Sequence, residues 1–376
     1  MSNTTDKVVL NFAAIDPYIE SNIISPKAKR VNGKDFLEWG DKNYYPFYLE
    51  ELYDNVPTLQ TCINGLADYV LGDSVTASVA LTGQEIGVIN VKGESLRDQV
   101  HNIALDYALT GGFALQIVRG RSGDIVSVYD IPVKNLRTNA ECDVFYYSED
   151  WDKIGRKAYI PYPKFIKNLD WSGLSDKEKE RHISSILYIK GVSHKVYPVP
   201  LYASAVPACE IERGIDEFHL NSINSAFTPS MIVNFNNGIP TDEAKKEIER
   251  MMNEKFSGVQ NGGRIMLCWN DNKEGSTTIE SPKVEDFGAR YEATAKRSRQ
   301  QIFTSFRANP NLFGIPTDNN GFNAEEYESA FKLFNRTMVK PIQNIICDAY
   351  DAIFGVSGSI TIKPFTLEGE TEQIVK

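Results

Sequence analysis

Apolar residues recur every three or four positions in six segments of the chain, which is the spacing of amphipathic helices. Pro57 lies inside the first segment and predicts two short helices there, and Gly111 and Gly112 predict the end of the second. Short apolar runs between these segments predict strands, including a hairpin formed by 113–119 and 125–129. The six predicted helical segments are 49–71, 96–109, 205–225, 241–256, 286–306 and 324–354.

The pattern changes near residue 197. The first half mixes strands, including a strand-like region at 73–91, with short helices, and 177–189 has a mixed pattern. In the second half a predicted β-α-β insert at 231–280 lies between the helices 205–225 and 286–306. The whole chain is therefore predicted to be an α+β protein.

The segment from Asp286 to Phe354 has two long helical patterns that flank a polar loop at 309–322. The second pattern is nearly heptad over about 30 residues, or roughly 45 Å if the helix is straight, and Pro341 predicts a kink in it. The loop contains Gly321 and short polar side chains, so it can be mobile. The pattern alone leaves open an ordinary helix connector and a loop inserted into a channel.

Composition narrows the range of functions. The chain has 376 residues, 42% of them hydrophobic, and a formal net charge of -10. Its length allows two domains or one elongated subunit. The negative charge argues against a protein that wraps basic side chains around nucleic-acid phosphates, but it allows DNA to pass through a channel without tight binding.

Sequence signatures of bound cofactors are missing. The five cysteines are scattered singly, so we expect no zinc site and a reducing compartment. No phosphate-binding loop, dinucleotide fingerprint, metalloprotease helix or nucleophile elbow occurs, and we expect no metal or cofactor. No run is apolar enough to cross a bilayer, so we expect a protein that is made in a cytoplasm and does not enter a membrane.

An enzyme hypothesis rests on Asp242, Glu243 and Lys245. Two carboxylates and a lysine can hold Mg²⁺ and orient water, as in a nuclease. The same acidic residues follow Thr241 at a predicted helix start, where they favour the helix dipole without any catalytic role. Helix capping is the preferred interpretation.

A basic cluster consists of Arg290, Lys296, Arg297, Arg299 and Arg307 on and after the helix 286–306. In a ring of subunits these side chains could line a DNA path. Alternatively, they suit the negative end of the helix dipole or pair with acidic neighbours across a subunit contact. The second interpretation is preferred, because a conduit for sliding DNA gains nothing from a strongly attractive wall.

Five short motifs follow one another along the chain, in the segments 43–72, 110–136, 227–267, 302–314 and 334–341. In this order they resemble the motifs of tailed-bacteriophage portal proteins, the head-to-tail connectors of double-stranded DNA phages. Two departures stand out: Asn309-Pro310-Asn311 replaces the more common Val-Pro-Pro, and only about twenty residues follow the last helix. The resemblance therefore implies a crown domain that is small or absent.

The resemblance implies a non-enzymatic ring, usually of twelve subunits, around a DNA channel at the capsid vertex of the virion; another ring-forming virion adaptor is an alternative. The subunit would be assembled in the host cytoplasm. The implied parts are an N-terminal arm (1–30), a wing (31–204), a first stem helix (205–225), a clip (226–280), a second stem helix (281–308), a tunnel loop (309–323), a kinked tunnel helix (324–355) and a C-terminal strand and tail (356–376).

The resemblance also implies roles for individual residues. The clip would face the large terminase subunit during packaging and later a head-completion adaptor, and the wing would contact capsid or scaffold proteins. Double-stranded DNA would be contacted without sequence readout. The expected clip residues are Asn236, Asn237, Lys245, Lys246, Arg250 and Trp269. The expected DNA-facing loop residues are Thr317, Asp318, Asn319, Asn320, Gly321, Phe322 and Asn323.

Overall fold

The computed structural model describes residues 28–31, 33–151, 159–191, 195–225, 231–235, 241–256, 265–269, 278–280, 287–315 and 324–366. The chain divides into a first unit, 1–204 with 303–376, and a second unit, 205–302. Helices and strands are mixed along the described residues, which confirms the predicted fold class.

The bounds of the elements follow chain order. The helices are α1 (Tyr45–Asn55), α2 (Pro57–Leu71), α3 (Leu96–Thr110), α4 (Asp176–His182), α5 (Val206–Ser225), α6 (Asp242–Phe256), α7 (Phe287–Ser305), α8 (Ala324–Phe334) and α9 (Lys340–Phe354). The strands are β1 (Ala28–Arg30), β2 (Leu37–Trp39), β3 (Ser74–Ala77), β4 (Gly112–Arg119), β5 (Ile125–Ile131), β6 (Leu136–Thr138), β7 (Val144–Tyr147), β8 (Ile160–Pro163), β9 (Ser184–Lys190), β10 (Met231–Phe235), β11 (Ile265–Trp269), β12 (Thr278–Glu280) and β13 (Ile360–Lys363).

Individual residues in the sequence set the boundaries of the first three helices. Val56 has an extended backbone, and Pro57 begins α2, which confirms the predicted split. The Ser95 side chain accepts a hydrogen bond from the Asp98 N–H (3.0 Å) and caps α3. Gly111 ends α3 at φ 86°, and a Cβ there would lie 2.1 Å from the Val199 carbonyl oxygen. Both the left-handed backbone and the close approach require glycine at this position.

The central sheet of the first unit has the antiparallel order β5-β4-β9, and the predicted hairpin is its β4-β5 pair. Strand β9 comes from the region with a mixed pattern, where a short helix and a strand lie next to each other. The helix, α4, starts with a capping box in which Ser175 and Glu178 bond each other's backbone. The strand then pairs with β4 from Gly112 to Val118, a partner more than 60 residues away.

A fully buried guanidinium joins the first unit's early segments. Arg137 on β6 donates hydrogen bonds to the carbonyl oxygens of Lys134 (2.8 Å), Leu136 (2.7 Å) and Asn43 (3.2 Å), and another to the Asn43 side chain. It also lies 4.7 Å from the centre of the Trp151 ring. Burial lowers the pKa of Arg137 to about 10. The side chain thus holds the turn before α1 against the β6-β7-β8 sheet.

The C-terminal part of the chain is tied to the first half by polar bonds within the core. Tyr350 on α9 donates to the Gln99 side-chain oxygen (2.6 Å), and the Gln99 amide donates to the Val128 carbonyl (2.9 Å). Gln343 donates to the Val70 carbonyl at the end of α2 (3.0 Å). Strand β13, a predicted strand, pairs antiparallel with β3. The predicted strand region at 73–91 was too long, because only β3 forms there and turns follow it.

The helix predicted over 324–354 is interrupted immediately before Pro341. A π-helical turn, Asn335–Val339, separates α8 from α9, and Pro341 lies in the first turn of α9. Proline has no N–H to donate and fits a helix start better than a helix interior. A π-helical turn therefore lies immediately before Pro341, and the kink expected at this proline stays a prediction.

The second unit contains α5, α7 and a three-stranded sheet. Glu212 pairs with Arg299, and Phe218 packs on Tyr291 with ring centres 5.3 Å apart, so α5 and α7 run antiparallel. Strands β10 and β11 are parallel and are connected through α6, which confirms the predicted β-α-β insert. A third strand, β12, pairs antiparallel with β10 and was not predicted.

Candidate functional site: the base of the predicted loop and the partner-facing surfaces

The first residues of the predicted tunnel loop form a tight, packed turn. The Asn309 side chain accepts from the Asn311 N–H (3.0 Å), and Pro310–Phe313 is a 3-10 turn. Gly314 then takes a left-handed backbone (φ 75°), and Asn311 and Leu312 are buried. Residues 309–315 are thus structured. The residues expected to touch DNA, 317–323, lie outside the described residues.

Tyr69 on α2 contacts the chain both before and after these loop residues. Its hydroxyl donates to the Leu312 carbonyl oxygen (2.8 Å) and lies 3.4 Å from the hydroxyl of Tyr327 on α8. Burial is the main cause that raises the pKa of Tyr69, and the hydrogen bond with the Tyr327 hydroxyl is a smaller one. The phenol therefore remains protonated at neutral pH and can donate a hydrogen bond. One side chain of the first unit therefore fixes both flanks of the loop.

Aromatic rings surround Tyr69. The ring centres of Phe313, before the loop, and of Phe331 and Phe334, after it, lie 6.1, 5.9 and 5.6 Å from that of Tyr69. Phe365, which follows β13, lies 5.8 Å away. Edge-to-face and tilted pairs at these distances add stability beyond the apolar area that they bury. The base of the loop is consequently a packed aromatic cluster.

Gly65 allows this cluster to approach α2. A Cβ at Gly65 would lie 2.2 Å from the Phe313 ring, which is far inside van der Waals contact. The missing side chain of Gly65 therefore allows α2 and the 3-10 turn to pack closely. A glycine inside a helical pattern can indicate such a close approach, but Gly65 was not among the predicted site residues.

Beside the cluster is a cleft of about 400 Å³, which we term the loop-base cleft. Its polar side comes from α2, where the Asp68 side chain is 72% exposed and lies 3.4 Å from His101. Its apolar side comes from the turn before the loop and from the end of the described chain. The lining residues are Thr61, Asn64, Gly65, Asp68, Tyr69, Leu312, Phe313 and Phe365.

The predicted basic cluster is spread along α7. Arg299 Nε lies 3.8 Å from Glu212 Oε1 on α5, within the same chain. The Glu212 side chain is only 4% exposed, whereas that of Arg299 is 58% exposed. Lys296 and Arg297 are exposed, and for Arg290 the structure describes the helical backbone only. Arg299 thus has an acidic neighbour inside its own unit, a partner that was not anticipated.

The predicted partner-facing residues of the insert lie partly on α6. Lys245 pairs with Asp242 (3.1 Å) and Arg250 with Glu247 (2.7 Å), each one helical turn apart, and Lys246 is exposed. Asn236 and Asn237 lie outside the described residues, and for Trp269 the structure describes only the backbone of β11. The described face of α6 is charged, with cations and anions interleaved.

The residues of the nuclease hypothesis form the first turn of α6. Thr241 Oγ1 accepts from the Ala244 N–H (3.4 Å), and the Asp242 side chain is 92% exposed. These contacts are those of a capped helix start. In the part of the chain that the structure describes, no three His, Cys, Asp or Glu side chains are grouped to hold a metal ion. No helix within the same residues is long and apolar enough to cross a membrane.

One unit contains a pair of antiparallel helices and a small sheet, and the other contains a packed turn followed by a long helix with a π-helical turn. This construction is that of a portal-type subunit. The family model for phage portal proteins matches residues 93–367. The chain therefore belongs to the phage portal protein family, whose members are structural components of the virion at the portal vertex. No curated protein shows significant sequence similarity to it.

Solved structures share the fold. A chain from the neck of a native gene transfer agent particle, computed with C12 symmetry, matches with a TM-score of 0.57 and 17% identity, over 85% of this chain and 83% of that one. A chain from the virion of a native gene transfer agent particle matches with a TM-score of 0.58 and 16% sequence identity, over 88% of this chain and 84% of that one. The crystal structure of an HK97 family phage portal protein from Corynebacterium diphtheriae matches with a TM-score of 0.50 and 10% sequence identity, over 84% of this chain and 95% of that one.

Proposed function

We propose that this protein forms a ring-shaped channel at one capsid vertex, through which double-stranded DNA is packaged and later ejected. Membership of the portal family supports the ring. The observation that carries the channel role is the fixation of both loop flanks by Tyr69, through the Leu312 carbonyl and the Tyr327 hydroxyl. A loop that is held rigidly at both ends can press on a moving duplex without deforming the subunit that carries it.

The DNA contact is assigned to residues 317–323, with Asp318, Asn319, Asn320 and Phe322 nearest the duplex. Short polar side chains and a net charge of -10 suit brief contacts with phosphates and groove edges better than tight binding. Recognition is then independent of base sequence, as a conduit for a whole genome requires.

The ring is assigned twelve subunits. A similar chain comes from a gene transfer agent neck that was computed with C12 symmetry, which supports this number for the present chain. In such a ring 205–225 and 281–308 are the stem helices, 226–280 is the clip, and 31–204 is the wing.

The clip is assigned the docking of partner proteins: the large terminase subunit during packaging and a head-completion adaptor afterwards. Lys245, Lys246 and Arg250 on α6 offer cations spaced by acidic residues. Interleaved charges of both signs favour specific, reversible association over non-specific attraction. The wing is assigned the contacts with capsid or scaffold proteins, and no catalytic step is assigned to the chain.

The loop assignment is tested by replacing 317–323 with a seven-residue Gly-Ser linker and measuring the DNA retained by reconstituted heads. The same linker in place of 152–158, also seven residues, is the matched control. We expect both variants to assemble and only the first to retain less DNA. Equal retention by both variants and the wild type would refute the assignment. Cleavage of DNA in Mg²⁺ that is lost on Asp242→Ala would instead favour the nuclease hypothesis.

A further inference from the structure

The loop-base cleft combines an apolar wall with a negative rim. Phe313 and Phe365 provide the apolar side, and Phe365 is 41% exposed. Asp68 stands at the rim with its carboxylate largely in water, and its neighbour His101 lies 3.4 Å away. Such a cleft fits an apolar side chain that is accompanied by a cation.

The long interrupted helix of the first unit presents that combination on its outer side. Leu333 is 65% exposed, although its neighbours Phe331 and Phe334 are buried in the aromatic cluster. Arg336 is exposed and follows Leu333 by three positions. Residues three positions apart are neighbours on a helix surface. We term Leu333 and Arg336 the Leu333 face.

Two apolar side chains of the described first unit that are as exposed as Leu333 fit the cleft less well. Ile86 is 68% exposed but follows Glu85, whose charge repels Asp68. Val91 is 65% exposed beside Lys92, but the Lys92 ammonium lies over the Tyr129 ring at 5.4 Å. One exposed leucine is ordinary on a monomer. Leu333 differs from these two residues, because an exposed guanidinium lies one helical turn away and a cleft of opposite charge lies on the same unit.

A closed ring requires two different, complementary patches on each subunit, because each copy meets its two neighbours through different surfaces. The loop-base cleft and the Leu333 face are both in the first unit. They have opposite charge, and one is concave and the other is a ridge on a helix. They therefore meet the chemical requirement of a head-to-tail contact.

We propose that the Leu333 face of one subunit docks into the loop-base cleft of the next, with Leu333 against Phe313 and Arg336 against Asp68. The partner is a second copy of this chain. The inference rests on the proposed ring and names one of its contacts. It also couples neighbouring loops, because the cleft is built on the turn that fixes the loop.

The test is a charge-reversal exchange. Asp68→Arg and Arg336→Asp are made singly and together, and ring formation is followed by mass photometry over a range of protein concentrations. Asp348→Arg, at an exposed position of α9, is the control for charge reversal on a helix surface. We expect each single change to raise the concentration for half assembly roughly tenfold or more, and the double change to recover most of that loss.

The outcomes separate this inference from the proposed function. If the wild type forms rings and the single reversals assemble as it does, the contact is refuted and the ring stands. If the wild type forms no ring at any concentration, the proposed function and the contact both fail. Normal assembly of Arg336→Asp with reduced DNA retention would place the Leu333 face toward DNA and refute the contact. Leu333→Ser, which removes an exposed side chain, is expected to weaken assembly while leaving the unfolding free energy unchanged.

Discussion

The Tyr69 hydroxyl donates a hydrogen bond of 2.8 Å to the carbonyl oxygen of Leu312. The two residues are 243 positions apart in sequence, one on helix α2 and the other in the 3-10 turn before the predicted DNA-facing loop. The bond therefore connects the helical core of the first unit directly to the base of the loop. Several consequences can be measured.

Removing this hydroxyl should loosen the loop base. For Tyr69→Phe we expect the unfolding free energy to fall by about 0.5–1.5 kcal/mol, because the Leu312 carbonyl loses a partly buried donor. Cleavage by a protease within 316–323 should become faster. Chemical denaturation and limited proteolysis measure the two effects. Tyr159→Phe is the control, since it deletes a 2.9 Å bond to Asp35 beside β8, outside the loop base, and equal proteolysis of both variants would contradict the account.

A methyl group at Gly65 should disturb the same base sterically. The added Cβ of Gly65→Ala would lie 2.2 Å from the Phe313 ring, so the ring or the helix must move. Overpacking costs about 1–3 kcal/mol, which outweighs the roughly 1 kcal/mol that alanine gains over glycine in a helix. We expect net destabilisation in chemical denaturation. Gly214→Ala, on α5 with open space around its added Cβ, is the control and should be neutral or stabilising.

Asp106 should make stability depend on pH. Burial raises the pKa of this carboxyl to about 7, with a smaller contribution from Asp130, although it accepts from the Val133 N–H (2.8 Å). In the unfolded chain the pKa of an aspartate is about 3.9. Between about pH 4 and 7 the folded state therefore binds the extra proton, and its stability falls as the pH rises, by at most about 1.4 kcal/mol per pH unit.

The variant Asp106→Asn keeps an acceptor for Val133 and removes the titration. We expect its unfolding free energy to change less steeply with pH between 4 and 7 than that of the wild type. It should also exceed the wild-type value at pH 8. Denaturation at several pH values measures this, with Asp54→Asn as the control on an exposed position. Parallel pH profiles for wild type and Asp106→Asn would show that this partly buried carboxyl does not titrate in this range.

The buried guanidinium of Arg137 should not be replaceable by lysine. An ammonium cannot reproduce the bonds to the carbonyls of Lys134, Leu136 and Asn43, because its donors radiate from one atom. For Arg137→Lys we expect a loss of roughly 2–4 kcal/mol in unfolding free energy, since at least one buried acceptor loses its partner. Arg97→Lys is the control, because Arg97 makes an exposed bond to the Asp73 carbonyl (3.1 Å). A similar loss in both variants would contradict this role.

Much of the secondary structure follows from local signals that the sequence displays. Pro57 and Gly111 mark helix boundaries through their own backbone restrictions, whatever the rest of the chain does. Strand β9 was missed because its stability comes from pairing with β4, more than 60 residues earlier. Periodicity cannot show a distant partner, and a short strand next to a charged helix has little periodicity of its own.

The candidate site was less predictable than the fold. The polar composition of 317–323 indicated a functional loop, but those residues lie outside the described part of the chain, so their contact with DNA stays a prediction. The importance of Tyr69 could not be seen in the sequence, because it lies beside the apolar stripe of its helix and its partners are more than 200 residues away. The Glu212 partner of Arg299 was equally hidden, since charge patterns do not reveal which helices pack together.

The central claim is that copies of this chain close into a ring around a DNA channel. Electron microscopy of the purified, assembled protein tests it most directly. We predict closed rings with a continuous central hole roughly 20–40 Å wide, which admits a duplex whose major groove alone is about 12 Å across. Twofold dimers, open helical filaments, or rings without a continuous hole would contradict the account.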